Sequence, residues 1–355
     1  MKNMNIKITG SGSYIPTEIV SNKDFAEHVF LNDDGTPFPH PNDIVAEKFL
    51  EITGIRERRY VTDDLNTSDI AFFAAQKAII DANVDPETLD YIIFAHNFGN
   101  VRKGTIQTDL VPSLATRVKF DLRIKNPKCV AYDMLFGCPG WVEGVIQAQA
   151  FIKAGMAKKC LVIGAETLSR VVDLHDRDSM IYSDGAGATI IEATDDDGGI
   201  LAHETATFTY DEAFYLFFGN SFNKTHDPDV RYIKMHGRKI YEFALSQVPK
   251  AMAACLDNSG ASINDVKKIL IHQANEKMDE AIVQRFYKLY NQTMPEGIMP
   301  MSIHKLGNSS VATIPTLYDS LVRGEIENQS LNKGDVILFA SVGAGMNVNA
   351  IVYKM

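Results

Sequence analysis

The stretch Cys129-Val130-Ala131-Tyr132-Asp133-Met134-Leu135-Phe136-Gly137-Cys138-Pro139-Gly140-Trp141-Val142 reads as a strand that turns directly into a helix. Its apolar run, Cys129 to Phe136, stops at Gly137-Cys138-Pro139, and Trp141, Val142, Val145, Ile146, Ala148 and Phe151 then recur at helical spacing. Proline directly after the cysteine suits the first helical position, where a missing N–H costs nothing, and the flanking glycines permit a sharp turn. Cys138 is therefore expected at the positive end of a helix. That environment favours thiolate over thiol and leaves backbone N–H groups nearby for an oxyanion. The alternative is a small buried residue in a tight turn, a common fate for a cysteine.

Outward from this junction, short apolar strands alternate with longer helical patterns. Tyr91 to Ala95, Cys129 to Phe136, Cys160 to Ala165, Thr189 to Ala193, Ile269 to Ile271 and Val336 to Ala340 read as strands, and their alternation with helices predicts an α/β fold. A faint echo links Cys160-Leu161-Val162-Ile163-Gly164, followed by Gly185-Ala186-Gly187, with Val336-Ile337-Leu338-Phe339-Ala340, followed by Gly343-Ala344-Gly345. The echo suggests related halves, 1–195 and 196–355, divided at the polar turn cluster Asp195-Asp196-Asp197-Gly198-Gly199. Neither glycine pair fits a phosphate-binding or dinucleotide-binding motif, so both read as close-packing turns.

Composition narrows the function classes. The chain has 355 residues, is 45% hydrophobic and carries a net charge of -10, which supports a large core and argues against general nucleic-acid binding. It contains no run of 18 apolar residues, and its start enters a strand-like Ile6 to Ile8 segment rather than a long apolar signal, so a cytoplasmic protein without membrane attachment is expected. Four cysteines without a C-x-x-C pair fit a reducing compartment, and nine histidines without ligand spacing give no support to a metal.

Two further segments carry chemistry. His272-Gln273-Ala274-Asn275 follows the apolar strand Lys268 to Ile271 and precedes Met278, Ile282, Phe286 and Leu289 at helical spacing. Leu306-Gly307-Asn308-Ser309-Ser310 precedes Val311, Ala312, Ile314 and Leu317, and the alternative reading of Asn308 is a helix cap. Taken as a set, a thiol with two neutral hydrogen-bonding partners suits covalent acyl transfer.

These motifs resemble those of the β-ketoacyl-ACP synthase III family within the thiolase superfamily. The resemblance runs in order through Ile8-Thr9-Gly10-Ser11-Gly12, Thr53-Gly54-Ile55-Arg56-Glu57-Arg58, Ser183-Asp184-Gly185-Ala186-Gly187-Ala188 and Val342-Gly343-Ala344-Gly345, covering essentially the whole chain. It implies a five-layer αβαβα sandwich of two pseudo-duplicated halves, with Cys138 as nucleophile and His272 and Asn308 as its partners. It also implies an oxyanion hole from the backbone N–H groups of Cys138 and Ala344, a homodimer, and coenzyme A or phosphopantetheine thioesters as substrates, with no redox cofactor or metal. The implied reaction is decarboxylative Claisen condensation of an acyl-cysteine with malonyl-ACP. An acyl carrier protein would dock on basic residues after the histidine motif, for which Lys277, Arg285 and Lys288 are candidates interleaved with acidic residues.

Departures from the family pattern bear on the substrate. Where the family places an adenine-stacking tryptophan and an assisting arginine, this chain has Lys48 and Ile52, while Arg177 keeps the second arginine. Weaker nucleotide binding, and a donor carried on protein, are therefore expected. The segments from Asn32 to Pro41 and from Phe98 to Ala115 are longer than usual, and Phe98 is a candidate wall residue of the acyl pocket. Two rival readings stand beside this one. A related ketosynthase could join acyl and β-ketoacyl thioesters in dialkylresorcinol-type metabolism. A catalytically idle partner could bind only the carrier protein. Head-to-head condensation would need a glutamate base upstream of the cysteine, and none lies between Asn97 and Thr108.

Overall fold

A computed structural model describes residues 5–355. Its framework is two mixed sheets with a helical layer between them and another on each outer face. The first sheet contains β1 (Asn5–Tyr14), β2 (Tyr91–Ala95), β3 (Val130–Met134), β4 (Lys159–Thr167) and β5 (Asp184–Thr194), in the order β1-β5-β4-β2-β3. The second contains β6 (Gly199–Thr207), β7 (Val266–Ile271), β8 (Val336–Gly343) and β9 (Asn347–Lys354), in the order β6-β9-β8-β7. In each sheet parallel pairing at one end (β4-β2-β3, β7-β8) gives way to antiparallel pairing at the other.

Strand periodicity explains the layering. Successive strand residues point to opposite faces. In β2 and β4, Ile93 and Val162 point into the central layer, whereas Ile92, Phe94, Leu161 and Ile163 point outward. Likewise Leu270, Ile337 and Phe339 face inward, and Ile269, Ile271, Leu338 and Ala340 face outward.

Among the helices, α1 (Asn42–Thr53) lies beside the cavity described below. On the outer face of the first sheet, α2 (Thr67–Ala82) and α3 (Leu114–Asp121) pack Ile70, Ala74, Ala78 and Leu114. The central layer is built from α4 (Gly140–Lys153) and the last helix, α7 (Thr313–Val322), covered by sheets on both sides. On the outer face of the second sheet, α5 (Gly237–Ser259) and α6 (Glu276–Leu289) pack Val248, Met252, Ile282 and Phe286.

The helix that starts after Cys138 is thus buried on most of its surface, with Glu143, Gln147 and Phe151 partly buried and Ala150 and Lys153 exposed. Trp141 is 1% exposed, with its ring centroid 5.6 Å from that of Phe339 across the layer. Truncating such a side chain costs about 3–5 kcal/mol.

Three sequence expectations need correction. Gly185-Ala186-Gly187 is not a turn but part of β5, where a Cβ on Gly187 would lie 2.7 Å from Pro315 Cβ; the glycines serve close packing inside a strand. Pro139 caps α4 instead of opening it, since its ψ of -2° precedes the first helical residue, Gly140. The Phe98 to Ala115 segment is not all loop: Asn100–Val101 pairs with Thr108–Asp109, and α3 begins at Leu114. Strands β5 and β6 are separated by the polar cluster at 195–198. No helix among the described residues is long and apolar enough to cross a membrane.

Candidate active site

A cavity of about 1020 Å³ opens where the C-terminal ends of β3 and β7 meet the turn after β8. Cys138, His272, Asn308 and Ala344 all line it, although they come from four distant segments.

Cys138 is delivered by a turn in which Gly137 adopts φ 66°, and Gly140 N–H donates to Gly137 O at 3.0 Å. A side chain at 137 would be strained there and would also meet Ala344 N at 2.6 Å. Across from it, a Cβ on Gly343 would fall on the Cys138 amide nitrogen and within 2.9 Å of Cys138 Cβ. The two turns therefore pack backbone against backbone, bringing the amides of Cys138 and Ala344 to one wall. Asn347 holds them there, its Nδ2 donating to Phe136 O at 3.2 Å and Ala344 O at 2.9 Å.

His272 follows the end of β7, where its N–H donates to Ala340 O at 2.8 Å. The rest of its motif is anchoring. Gln273 Nε2 donates to Pro300 O at 2.9 Å, Gln273 Oε1 accepts from Ser302 N–H at 2.9 Å, and Asn275 caps α6 by accepting from Met278 N–H at 3.0 Å. His272 Nδ1 is buried without a protein partner, which leaves Nε2 as the nitrogen available to the cavity.

Asn308 sits on an irregular bridge, donating its N–H to Ile181 O at 3.0 Å and accepting from Ser183 N–H at 2.8 Å. Its Oδ1 accepts from Ser310 N–H at 2.8 Å. That bond uses the oxygen of the side-chain amide and turns the donor nitrogen away from it, toward the cavity.

Electrostatics make the set neutral at rest. Burial pushes the Cys138 thiol up to about 11, opposed by a hydrogen bond from Ser310 Oγ at 3.3 Å and reinforced by the Glu166 carboxyl. The helix N-terminus is present as expected, but desolvation of the thiolate outweighs it, so the expected preference for thiolate is corrected. Burial lowers His272 to about 4, leaving a neutral imidazole that can donate or accept a single hydrogen bond per nitrogen.

The wall beyond the thiol is apolar. Phe98 stacks on Phe218 with centroids 5.1 Å apart, and Ile233, Met235 and Leu168 continue the surface. At the outer end lie Lys48 and Arg177, with the Arg177 guanidinium 4.7 Å from the ring centroid of Phe38. Phe38 comes from the long Asn32 to Pro41 segment, and Arg238 from α5 adds a third cation to this rim. The other candidate cations do not line the cavity: Lys277 pairs with Glu51 at 3.2 Å, Arg285 donates to Leu245 O at 3.1 Å, and Lys288 is exposed on α6.

Sequence reasoning missed Asn347, Phe38, Arg238 and the polar pair formed by Asn97 at the cavity wall and the buried Glu166. Glu166 carried a signal, since it is a lone carboxylate at the end of the apolar run Cys160 to Ala165. No cluster of His, Cys, Asp or Glu suited to a metal occurs among the described residues.

Comparison with known proteins follows the same lines. Residues 132–208 match the 3-oxoacyl-[acyl-carrier-protein] synthase III family and residues 256–355 its C-terminal region. The chain is 34% identical over 354 residues to the β-ketoacyl-[acyl-carrier-protein] synthase III of Oceanobacillus iheyensis, covering 99% of each. It is 30% identical over 353 residues to that of Staphylococcus aureus, again with 99% of each covered. The solved 3-oxoacyl-[acyl-carrier-protein] synthase III of Aquifex aeolicus superposes with a TM-score of 0.80 at 29% identity, over 99% of this chain and 100% of that one.

Proposed function

Because the chain belongs to the β-ketoacyl-[acyl-carrier-protein] synthase III family, we propose that it starts fatty-acid synthesis with Cys138 as the acyl-accepting nucleophile. The family's activity is a condensing acyl transfer, and the acyl carrier protein and acyl thioesters are its substrates.

In the first half-reaction the Cys138 sulfur attacks the carbonyl of an acyl thioester. The backbone N–H groups of Cys138 and Ala344 hold the tetrahedral oxyanion, and the departing thiolate takes up the proton that the cysteine loses. In the second, malonyl-ACP enters, and His272 Nε2 and Asn308 Nδ2 donate to its thioester oxygen. The bond to the carboxylate breaks, carbon dioxide leaves, and its electron pair forms an enolate held by those two donors. The enolate carbon attacks the acyl-cysteine, giving a β-ketoacyl-ACP and expelling the Cys138 thiolate, which takes a proton from solvent to restore the resting thiol.

The observation that carries this reading is the convergence of the thiol, two neutral side-chain donors and two packed backbone turns on one apolar cavity. A neutral His272 suits donation to an enolate, where an imidazolium would over-stabilise it as an enol. Lys48, Arg177 and Arg238 at the rim suit the phosphate of a pantetheine arm, whether on coenzyme A or on the carrier protein, and Phe98 suits the acyl chain. Lys277, Arg285 and Lys288 remain the proposed carrier contacts on α6. We further propose a division of the chain into halves at 195/196, a cytoplasmic setting, and a homodimer. The dimer is supported by Ile106 and Val111, which are 68% and 86% exposed on the 98–113 segment.

The test is the intact mass of the protein and of Cys138→Ala after exposure to acyl-CoA and acyl-ACP donors of several chain lengths, without malonyl-ACP. Gain of one acyl mass by the unsubstituted protein alone supports the reading. No acylation by any donor refutes it.

A further inference from the structure

Beside Cys138 a polar chain runs from Ser310 and Asn97 at the cavity wall to the buried Glu166, and the condensing mechanism does not use it. Ser310 Oγ is 3.3 Å from Cys138 Sγ, Asn97 Nδ2 is 3.1 Å from Ser310 Oγ, and the same Nδ2 is 2.6 Å from Glu166 Oε1. The backbone N–H of Asn97 also donates to Glu166 Oε1, at 2.6 Å. Glu166 is fully buried, and its other oxygen, Oε2, has no partner.

Chemistry fixes the direction of every bond in this chain. Glu166 Oε1 receives a backbone N–H, so it is an acceptor, and the Asn97 amide must turn its nitrogen toward it. An amide nitrogen has two hydrogens and no acceptor lone pair, so its second hydrogen goes to Ser310 Oγ. Ser310 Oγ therefore accepts, and its single hydrogen is left to donate to the sulfur. Ser310 itself is held in the left-handed region at φ 53°, uncommon for a residue with a side chain, and its N–H pins the Asn308 amide. One strained residue thus sets both the hydroxyl donor at the thiol and the orientation of the Asn308 amide.

We propose that Glu166, Asn97 and Ser310 are positioning residues that present the Ser310 hydroxyl to Cys138 and so speed its acylation. The proposal rests on Cys138 being the nucleophile. A thiolate in this site is desolvated, and a hydrogen bond to an ionised acceptor is stronger than one to a neutral acceptor, so the Ser310 donor favours the reactive form. Asn97 cannot pass a proton along the chain as an amide, so its part is orientation rather than relay.

The experiment compares the protein with Ser310→Ala, Glu166→Leu and Glu166→Gln by two readouts. One is single-turnover acylation by an acyl thioester without malonyl-ACP. The other is alkylation of Cys138 by iodoacetamide at pH 8. Ser310→Ala and Glu166→Leu are expected to slow both by about tenfold to a hundredfold. Glu166→Gln keeps an acceptor oxygen at the Oε1 position and is expected to recover most of the rate lost in Glu166→Leu. Loss of fold would not imitate this result, because an unfolded thiol alkylates faster, not slower. Unchanged rates in Ser310→Ala would overturn the proposal, as would a Glu166→Gln variant as slow as Glu166→Leu. If no donor acylates the unsubstituted protein, the nucleophile assignment fails, while alkylation still reports whether the polar chain tunes this thiol.

Discussion

Replacing Gly343 by alanine tests the packed turns with a single methyl group. Gly343 has φ -166° and ψ -167°, extended backbone that any residue adopts, so the cost of the substitution is steric. The new Cβ would fall on the Cys138 amide nitrogen and lie 2.7 Å from Pro139 Cδ and 2.9 Å from Cys138 Cβ. Ordinary contact begins near 3.4 Å, so the two turns must separate by about 1 Å at the Cys138 amide nitrogen, and the atoms in the way are a backbone nitrogen, a proline ring carbon and a Cβ, none of which can swing aside. Movement of that size takes one amide donor out of line with the oxyanion and is worth about a hundredfold in rate, or about 2.7 kcal/mol of transition-state stabilisation. Overpacking adds about 1–3 kcal/mol of lost stability, visible as a modest fall in melting temperature. The assay is single-turnover acylation of Cys138 followed by intact mass, with a thermal melt to show that the variant is folded. A folded Gly343→Ala variant acylated within threefold of the parent rate would refute the reasoning, because the amides of Cys138 and Ala344 could not then be the donors that matter.

Asn308→Ala should leave acylation within a few-fold and slow the malonyl-ACP step about a hundredfold, measured by separate single-turnover assays of the two half-reactions. His272 is held neutral, with its value moved from 6.5 to about 4, so it contributes stability above pH 6.5 that is lost as pH falls toward 4, by up to about 3 kcal/mol. Urea unfolding at pH 7 and pH 4.5 should therefore show a smaller acid loss for His272→Gln than for the parent. Glu166 moves the other way: burial raises it from 4.5 to about 8, so the protein loses stability as pH climbs across that interval, and urea unfolding of Glu166→Gln should show a smaller loss between pH 5 and pH 8.5 than the parent. Phe38→Ala removes the ring under Arg177 and should raise KM for acyl-CoA donors about fivefold in initial-rate assays, the size of one cation–π contact of about 1 kcal/mol.

Most of the framework was legible because it rests on local periodicity. Tyr91 to Ala95 is a strand with the bounds read from its apolar run, and Val336 to Ala340 extends only to Gly343. Gly185-Ala186-Gly187 misled because two glycines signal a turn to any local rule, whereas here they let β5 lie against Pro315, a contact 128 residues away in sequence. The thiol's resting state was misjudged for a similar reason. A helix N-terminus can be read from sequence, but the desolvation that opposes it comes from walls supplied by distant segments. Asn97 and Asn347 were unreadable as site residues, since an asparagine after a strand and another at a strand start look like ordinary turn polarity. Their partners, Glu166 with Ser310 and Phe136 with Ala344, are found only when the chain is folded. The histidine motif shows the reverse case. Its Gln273 and Asn275 have plain structural work, anchoring a turn and capping a helix, while His272 brings a titratable ring to the cavity that Ala274 and Asn275 also line.

The placement of α4 in the central layer has a consequence for how this enzyme diversifies. Its N-terminus carries Cys138, and its sides are clamped by both sheets, so the sulfur is the least adjustable point of the cavity. The opposite walls come from Phe38 on the long early segment, Phe98 on the segment before α3 and Phe218 on a two-stranded hairpin, none of which belongs to either sheet of the framework. New acyl preferences are therefore reachable by redrawing peripheral segments while the reacting atoms keep their positions. A designer seeking a different starter unit has three interchangeable panels around a fixed hearth, and substitutions in the panels should trade chain-length preference without first costing the fold.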